Sequence, residues 1–322
     1  MTSAATISAM FCRHCGYNLQ GLPENRCAEC GRTFDPNSRK SYSIHSGSPS
    51  RRRRARRIVA SFIAIILLAG AGVFSLWWPW HRDAAAIRMV RRCGGTVDTA
   101  TVGPKWLQSL LGQRGGFLLE RAGPTCDLRD SRTVTDADVS ALDGLAHLQE
   151  INLAYTNISD ASLAHLVKLK GLRRLYLYGD TRVTDKGLEH LTNLKGLQWL
   201  DLEKTAVADS GLEQLKSLNE LQTLNLWGTT VTDAGLERLK GLKALNDLGL
   251  SDTKVSDAGL EHLRQLKGLK SLDLSFTRVT DAGLEHLKDL KRLQWLCLRD
   301  TQVTDAGIEA LKKALPGCHI TH

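Results

Sequence analysis

No signature of a familiar catalytic mechanism occurs in these 322 residues. There is no G-x-S-x-G nucleophile turn, no G-x-x-x-x-G-K-[ST] phosphate loop, no H-E-x-x-H helix and no dinucleotide fingerprint. Their absence excludes the hydrolytic, nucleotide-handling and metalloprotease chemistries that those spacings build, and no enzyme is expected. Charge of one sign is also missing over most of the chain. The net +9 resembles a nucleic-acid footprint until it is located. Residues 1–57 hold 11 Lys and Arg against 3 Asp and Glu, which leaves 32 against 31 for residues 58–322. The basic character belongs to the N-terminal arm, so the repeats described next are not expected to bind nucleic acid. A third absence is local: Ile58–Trp78 contains no charged residue.

What is there, above all, is repetition. Residues 125–322 restate one unit about eight times. Its opening Leu recurs at 148, 172, 197, 221, 245, 269 and 293, a step of 24 with a single 25 where Gly179-Asp180 adds a residue. A fixed period of this length means a solenoid. In L-x-x-L-x-L the last two leucines lie two apart and point to one side of a strand. Thr-x-Val-Thr-Asp follows, with a Thr or Ser suited to capping a helix and an acid suited to its positive end. Leu284, Leu287 and Leu290 then mark a buried helical stripe. One coil is therefore strand, turn, short helix and return. Stacked coils share a Leu core and pair their strands into a parallel sheet, on the order of 40 Å long at about 4.8 Å per strand. Gly187, Gly211, Gly235, Gly259, Gly283 and Gly307 form a column that Asp138 and Ser162 fill in the first two coils. The position needs a small or cap-friendly residue, not a positive φ.

The V-T-D-A-G-L-x-x-L coils resemble leucine-rich repeat proteins, as in bacterial membrane-anchored proteins and, more distantly, F-box substrate receptors; no F-box segment precedes them. The resemblance implies an α/β fold with a parallel sheet on the concave face and short helices on the convex face. It also implies a recognition surface on the concave side, without catalysis.

Residues 1–40 carry two C-x-x-C-G turns, Cys12/Cys15 and Cys27/Cys30, with eleven residues between them. Two thiolates from each turn would complete a tetrahedral structural zinc site, and the pattern resembles a zinc ribbon. A disulfide or redox pair is the competing reading. Four protein ligands leave no position for a catalytic water.

Residues 41–57 read as a basic linker, Ser/Gly/Pro-rich and then Arg-rich. The apolar run that follows would rise about 31 Å as a helix, enough for a membrane span over residues 58–80, with Trp77, Trp78 and Trp80 at its far end and Pro79 stopping it. Six arginines on the near flank against Arg82, Arg88, Arg91 and Arg92 on the other predict a cytoplasmic N-terminus and extracytoplasmic repeats. Residues 81–124 are expected to be a juxtamembrane cap: a helix over Asp83–Cys93, a strand over Thr96–Val102 and a second helix from Pro104.

Variable positions around the strand leucines define the expected concave surface. Arg174, Tyr176, Tyr178, Trp199, Asp201, Trp227 and Trp295, with Phe276 at the rim, are the binding candidates. Tyr176, Tyr178, Trp199 and Trp227 are expected to form one patch, and packing on one another across strands is their alternative role. His165, His190, His262 and His286 occupy equivalent helix positions and read as a solvated face. The function these features predict is a single-pass membrane protein that binds a protein or other large extracytoplasmic ligand. The alternative is a cytoplasmic adaptor with the cysteine turns and the repeats on one side of the membrane.

Overall fold

The structure is a computed structural model describing residues 9–14, 17–38, 40–43, 83–101, 120–145 and 147–322. Two compact units divide it at Trp77/Trp78. Among the described residues no helix is long and apolar enough to cross a membrane. The expected span at 58–80, most of the linker, the helix from Pro104 and Cys15 with Gly16 lie outside them.

In the smaller unit, strands β1 (Phe11–Cys12) and β2 (Tyr42–Ser43) pair antiparallel. Its core is four buried side chains: Cys12, Leu19, Cys27 and Phe34.

The larger unit is the solenoid. A helix over residues 83–92 leads to β3 (Thr96–Thr101), which runs antiparallel to β4 (Glu120–Asp127). From β4 onward every pairing is parallel: β5 (Glu150–Asn152), β6 (Arg174–Tyr176), β7 (Trp199–Asp201), β8 (Thr223–Asn225), β9 (Asp247–Gly249), β10 (Ser271–Asp273), β11 (Trp295–Cys297) and β12 (His319–Thr321). Register is strict, so Leu175, Leu200, Leu224, Leu248, Leu272 and Leu296 stack as one buried row. Ala86, Ile87, Met89, Val90 and Cys93 of the leading segment join that core, and β3 occupies the outer edge of β4. The open first coil is thereby shielded from edge pairing. Cys126 and Leu128 fill the buried positions of the first coil, and β12 closes the last.

Between coils runs a hydrogen-bonded ladder. The Asp that opens each helix turns its carboxylate to the cap of the next coil. Asp209 accepts from the Thr232 backbone N–H at 2.8 Å and from its hydroxyl at 2.6 Å. Asp160 to Thr184, Asp233 to Ser256, Asp257 to Thr280 and Asp281 to Thr304 repeat the pair of bonds. The Thr232 hydroxyl in turn accepts from Ala234 N–H, inside its own helix. Ala208 interrupts the hydroxyl series, and the Ser210 hydroxyl takes the second oxygen of Asp185 in its place.

This ladder explains the glycine column. A Cβ at Gly187, Gly211, Gly235, Gly259, Gly283 or Gly307 would lie 2.1–2.5 Å from the carboxylate oxygen of the Asp in the coil before. The constraint is space, and these glycines keep ordinary negative φ. Ser162 fills the same position by donating its hydroxyl to Asp136 at 2.5 Å. Asp138 has no coil before it and instead closes a capping box with Thr135.

A second column is the left-handed turn after each strand. Asp130, Tyr155, Gly179, Lys204, Gly228, Asp252, Phe276 and Asp300 all have φ between 52° and 80°. Lys204 N–H donates to the Trp227 carbonyl and Phe276 N–H to that of Arg299, so inter-coil bonds hold the turn even where the residue is not glycine.

Candidate metal centre and binding face

The two cysteine turns share one geometry. Phe11 bridges Asn18 and Arg26 bridges Thr33, each seven residues on. Leu19 N–H donates to Met10 and Phe34 N–H to Asn25, again at equal offsets. His14 N–H points at Cys12 Sγ at 3.4 Å, and Gly31 takes φ +70° directly after Cys30. Turns of this kind aim both thiols of a pair to one side. The Sγ atoms of Cys12, Cys27 and Cys30 lie within 4.8 Å of one another, and Cys12 and Cys30 are 3.6 Å apart. A disulfide needs about 2.05 Å, whereas sulfurs about 2.3 Å from one tetrahedral zinc sit nearly 4 Å apart. The three cysteines can therefore hold a metal ion, and the spacing fits thiolate ligation. Cys15 stands at the place in the first turn that Cys30 holds in the second, outside the described residues.

On the solenoid, the strand residues that alternate with the buried leucines face away from the core. One row runs Glu150, Arg174, Trp199, Thr223, Asp247, Ser271, Trp295, His319. Arg174 is ion-paired to Glu150 across the strands. Trp295 is 58% exposed with its ring 4.7 Å from that of His319, and Phe276 is 56% exposed on its left-handed turn. The other aromatics divide into three groups. Tyr176 meets Trp199 at 6.0 Å, Tyr178 meets Tyr155 edge-on at 5.0 Å, and Lys204 lies 4.4 Å over the ring of Trp227. Tyr178 follows a core leucine and sits beside the turn column, so it joins Tyr155 at that edge and not Tyr176 on the strands. Tyr155 is 45% exposed and was not among the sequence candidates.

Asp201 has a local task. Its carboxylate accepts Glu203 N–H at 3.1 Å, and burial pushes its pKa up to about 6. Asp127, Asn152, Asn225 and Asp273 make the same bond two residues ahead, preparing the left-handed turn. His165 sits against Asp143, at 3.2 Å.

Asp180 stands out among buried acids. It is 2% exposed, accepts the Thr156 N–H at 2.9 Å on one oxygen, and has no partner for the other. Most other coils hold a Thr here, donating to the carbonyl three residues back. Burial pushes the Asp180 pKa up to about 7 from its ordinary 3.8. The folded state then holds a proton that the unfolded chain releases near pH 4. Stability should fall as pH rises from about 4 to 7 and stay lower above. Asp180→Asn should flatten that slope and, at pH 8, recover about 1–3 kcal/mol, the range for a buried unsatisfied group. Asp201 contributes in the same direction and persists in the variant. Urea midpoints at pH 5 and 8 test this; an unchanged pH difference in Asp180→Asn would refute it.

A parallel sheet built one strand per coil, with capped helices on the reverse, defines a leucine-rich repeat solenoid. Residues 268–288 match the Leucine Rich repeat family. Internalin C2 of Listeria monocytogenes is similar in structure, with 24% identity, a TM-score of 0.50, and coverage of 63% of this chain and 86% of that one. A leucine-rich repeat protein of Leptospira interrogans aligns at 19% identity over 56% of each chain, with a TM-score of 0.40. No curated protein matches the sequence.

Proposed function

We propose that this is a single-pass membrane protein whose leucine-rich repeats bind a protein or other large ligand outside the cytoplasm through the concave face. In this reading Cys12, Cys15, Cys27 and Cys30 hold a structural zinc ion on the cytoplasmic side. The observation that carries the binding role is exposure of large aromatic side chains on the sheet and on the turns that follow its strands. Trp295, Phe276 and Trp227 are each more than a third exposed, although the solenoid core buries its leucines almost completely. Aromatic anchors on a rigid surface are the usual centre of a protein interface. The uncharged run at 58–78 and its arginine flank support the anchor and its orientation.

Two measurements test the proposal. A reporter active only outside the cytoplasm, fused after His322, should be active; a signal from a cytoplasm-only reporter would instead place repeats and cysteine turns on one side. Once a ligand is identified, Trp227→Ala with Trp295→Ala should weaken its binding by about 2 kcal/mol or more, some 30-fold. Unchanged affinity would move the site off this face.

A further inference from the structure

The near-neutral charge of the repeats conceals a strongly one-sided distribution. The segment between each helix and the next strand is rich in lysine. Lys170, Lys195, Lys243, Lys267 and Lys291 occupy one column, each directly after a core leucine and each exposed. Residues 264–270 and 288–294 together carry six Lys and Arg against the single Asp289. Several cations of this edge are engaged: Lys216, Lys240, Lys288 and Lys312 pair with a glutamate three residues earlier, and Arg264 pairs with Asp289.

At the C-terminal end of the edge lies a hollow of about 530 Å³, whose lining includes Lys270, Lys291 and Arg292 and no carboxylate. Lys291 Nζ donates to the Ala314 carbonyl at 3.1 Å, which holds its charge at the wall. Leu315, Pro316 and Gly317 supply the apolar side, where the closing half-coil departs from the repeat. The acid near these three like charges, Asp289 beside Lys291, is shared with Arg264 and Lys267, so the cations still repel one another, and an anion in the hollow relieves that cost. A phosphate suits them better than a carboxylate: it carries close to two charges, and its oxygens match the guanidinium fork of Arg292 while lysines add point charges. The hollow is large for bare phosphate and within the range of small-molecule sites. The lysine column leading to it would draw anions along the edge.

We propose that this hollow binds a phosphate-bearing group, either on a water-soluble molecule or on a lipid headgroup. The inference does not depend on the concave-face reading, and the two can fail separately.

The test uses the full chain in nonionic detergent, titrated with inorganic phosphate and with glycerol 3-phosphate by calorimetry. A second arm places it in nanodiscs with or without phosphatidylglycerol and follows amide exchange over residues 312–318. The variant Lys270→Gln with Arg292→Gln changes exposed side chains and should fold normally. Lys195→Gln on the same edge is the control. Binding in the first arm identifies a soluble phosphate; protection only with phosphatidylglycerol identifies a headgroup. In either case the double variant should weaken the response at least tenfold while Lys195→Gln leaves it within twofold. No response in either arm, or equal losses in both variants, would overturn the site.

Discussion

Chelating the proposed zinc ion of the cysteine turns, or replacing Cys27 by Ser, is expected to unfold residues 9–43 and leave the solenoid folded. Among the described residues the smaller unit has only Leu19 and Phe34 as buried apolar side chains besides Cys12 and Cys27. Burying two such groups contributes about 1.5–3 kcal/mol each. So small a core does not offset the backbone entropy of ordering some thirty residues, and strands of two residues add little, so a bound structural metal would be the unit's main support. Cys27 is 1% exposed and belongs to the three-sulfur cluster, so Ser there would remove a proposed ligand from a buried position. Metal content by mass spectrometry should fall from one ion per chain to none. Amide protection at Cys12, Leu19, Cys27 and Phe34, whose N–H groups close the turns, should vanish together. Persistent protection in the chelated protein would show that the turns stand without metal.

The three-cysteine cluster and the solenoid were legible in the sequence for different reasons. C-x-x-C-G carries its geometry locally, because the two thiols and the glycine after them define the turn. The leucine rows carry theirs by repetition: a buried row such as Leu200, Leu224, Leu248 tolerates one kind of side chain, so identity and position coincide. The left-handed column was hidden because its residues share a backbone conformation and no chemistry: Tyr155, Lys204 and Phe276 stand where Gly179 and Gly228 also stand. The bond that holds them comes from the neighbouring coil, and no pattern within one coil reveals it.

The candidate binding face was legible only as a set of alternating positions. A side chain's row follows from the strand register, but what it touches depends on the neighbours above and below. Tyr178 therefore separated from Tyr176, and Asp201 went to a backbone N–H. The basic edge escaped for a simpler reason: net charge sums over both sides of the solenoid and erases the difference between them.

The glycine column and the aspartate ladder are two descriptions of one contact, and a double-mutant cycle should show it. Gly259→Ala sets a methyl 2.4 Å from the Asp233 carboxylate oxygen and 3.1 Å from its carbon. It should cost about 1–3 kcal/mol, as overpacking does. Asp233→Ala removes the acceptor for Ser256 N–H at 2.7 Å and Ser256 hydroxyl at 2.6 Å. A charge-assisted pair of this kind is worth about 1.5–3 kcal/mol per bond, less where water can replace the lost partner. Combined, the two changes should cost less than their sum by at least about 1 kcal/mol, because the carboxylate that the methyl strikes is gone. In the Asp233→Ala background Gly259→Ala should be close to neutral. Its gain in helix propensity, up to about 1 kcal/mol, is opposed by the remaining Leu236 methyl at 3.1 Å. Additivity within about 0.5 kcal/mol, measured by urea unfolding, would mean that the glycines are there for another reason. Each coil meets only its neighbours, so a break here weakens one junction of the stack and not the coils on either side of it.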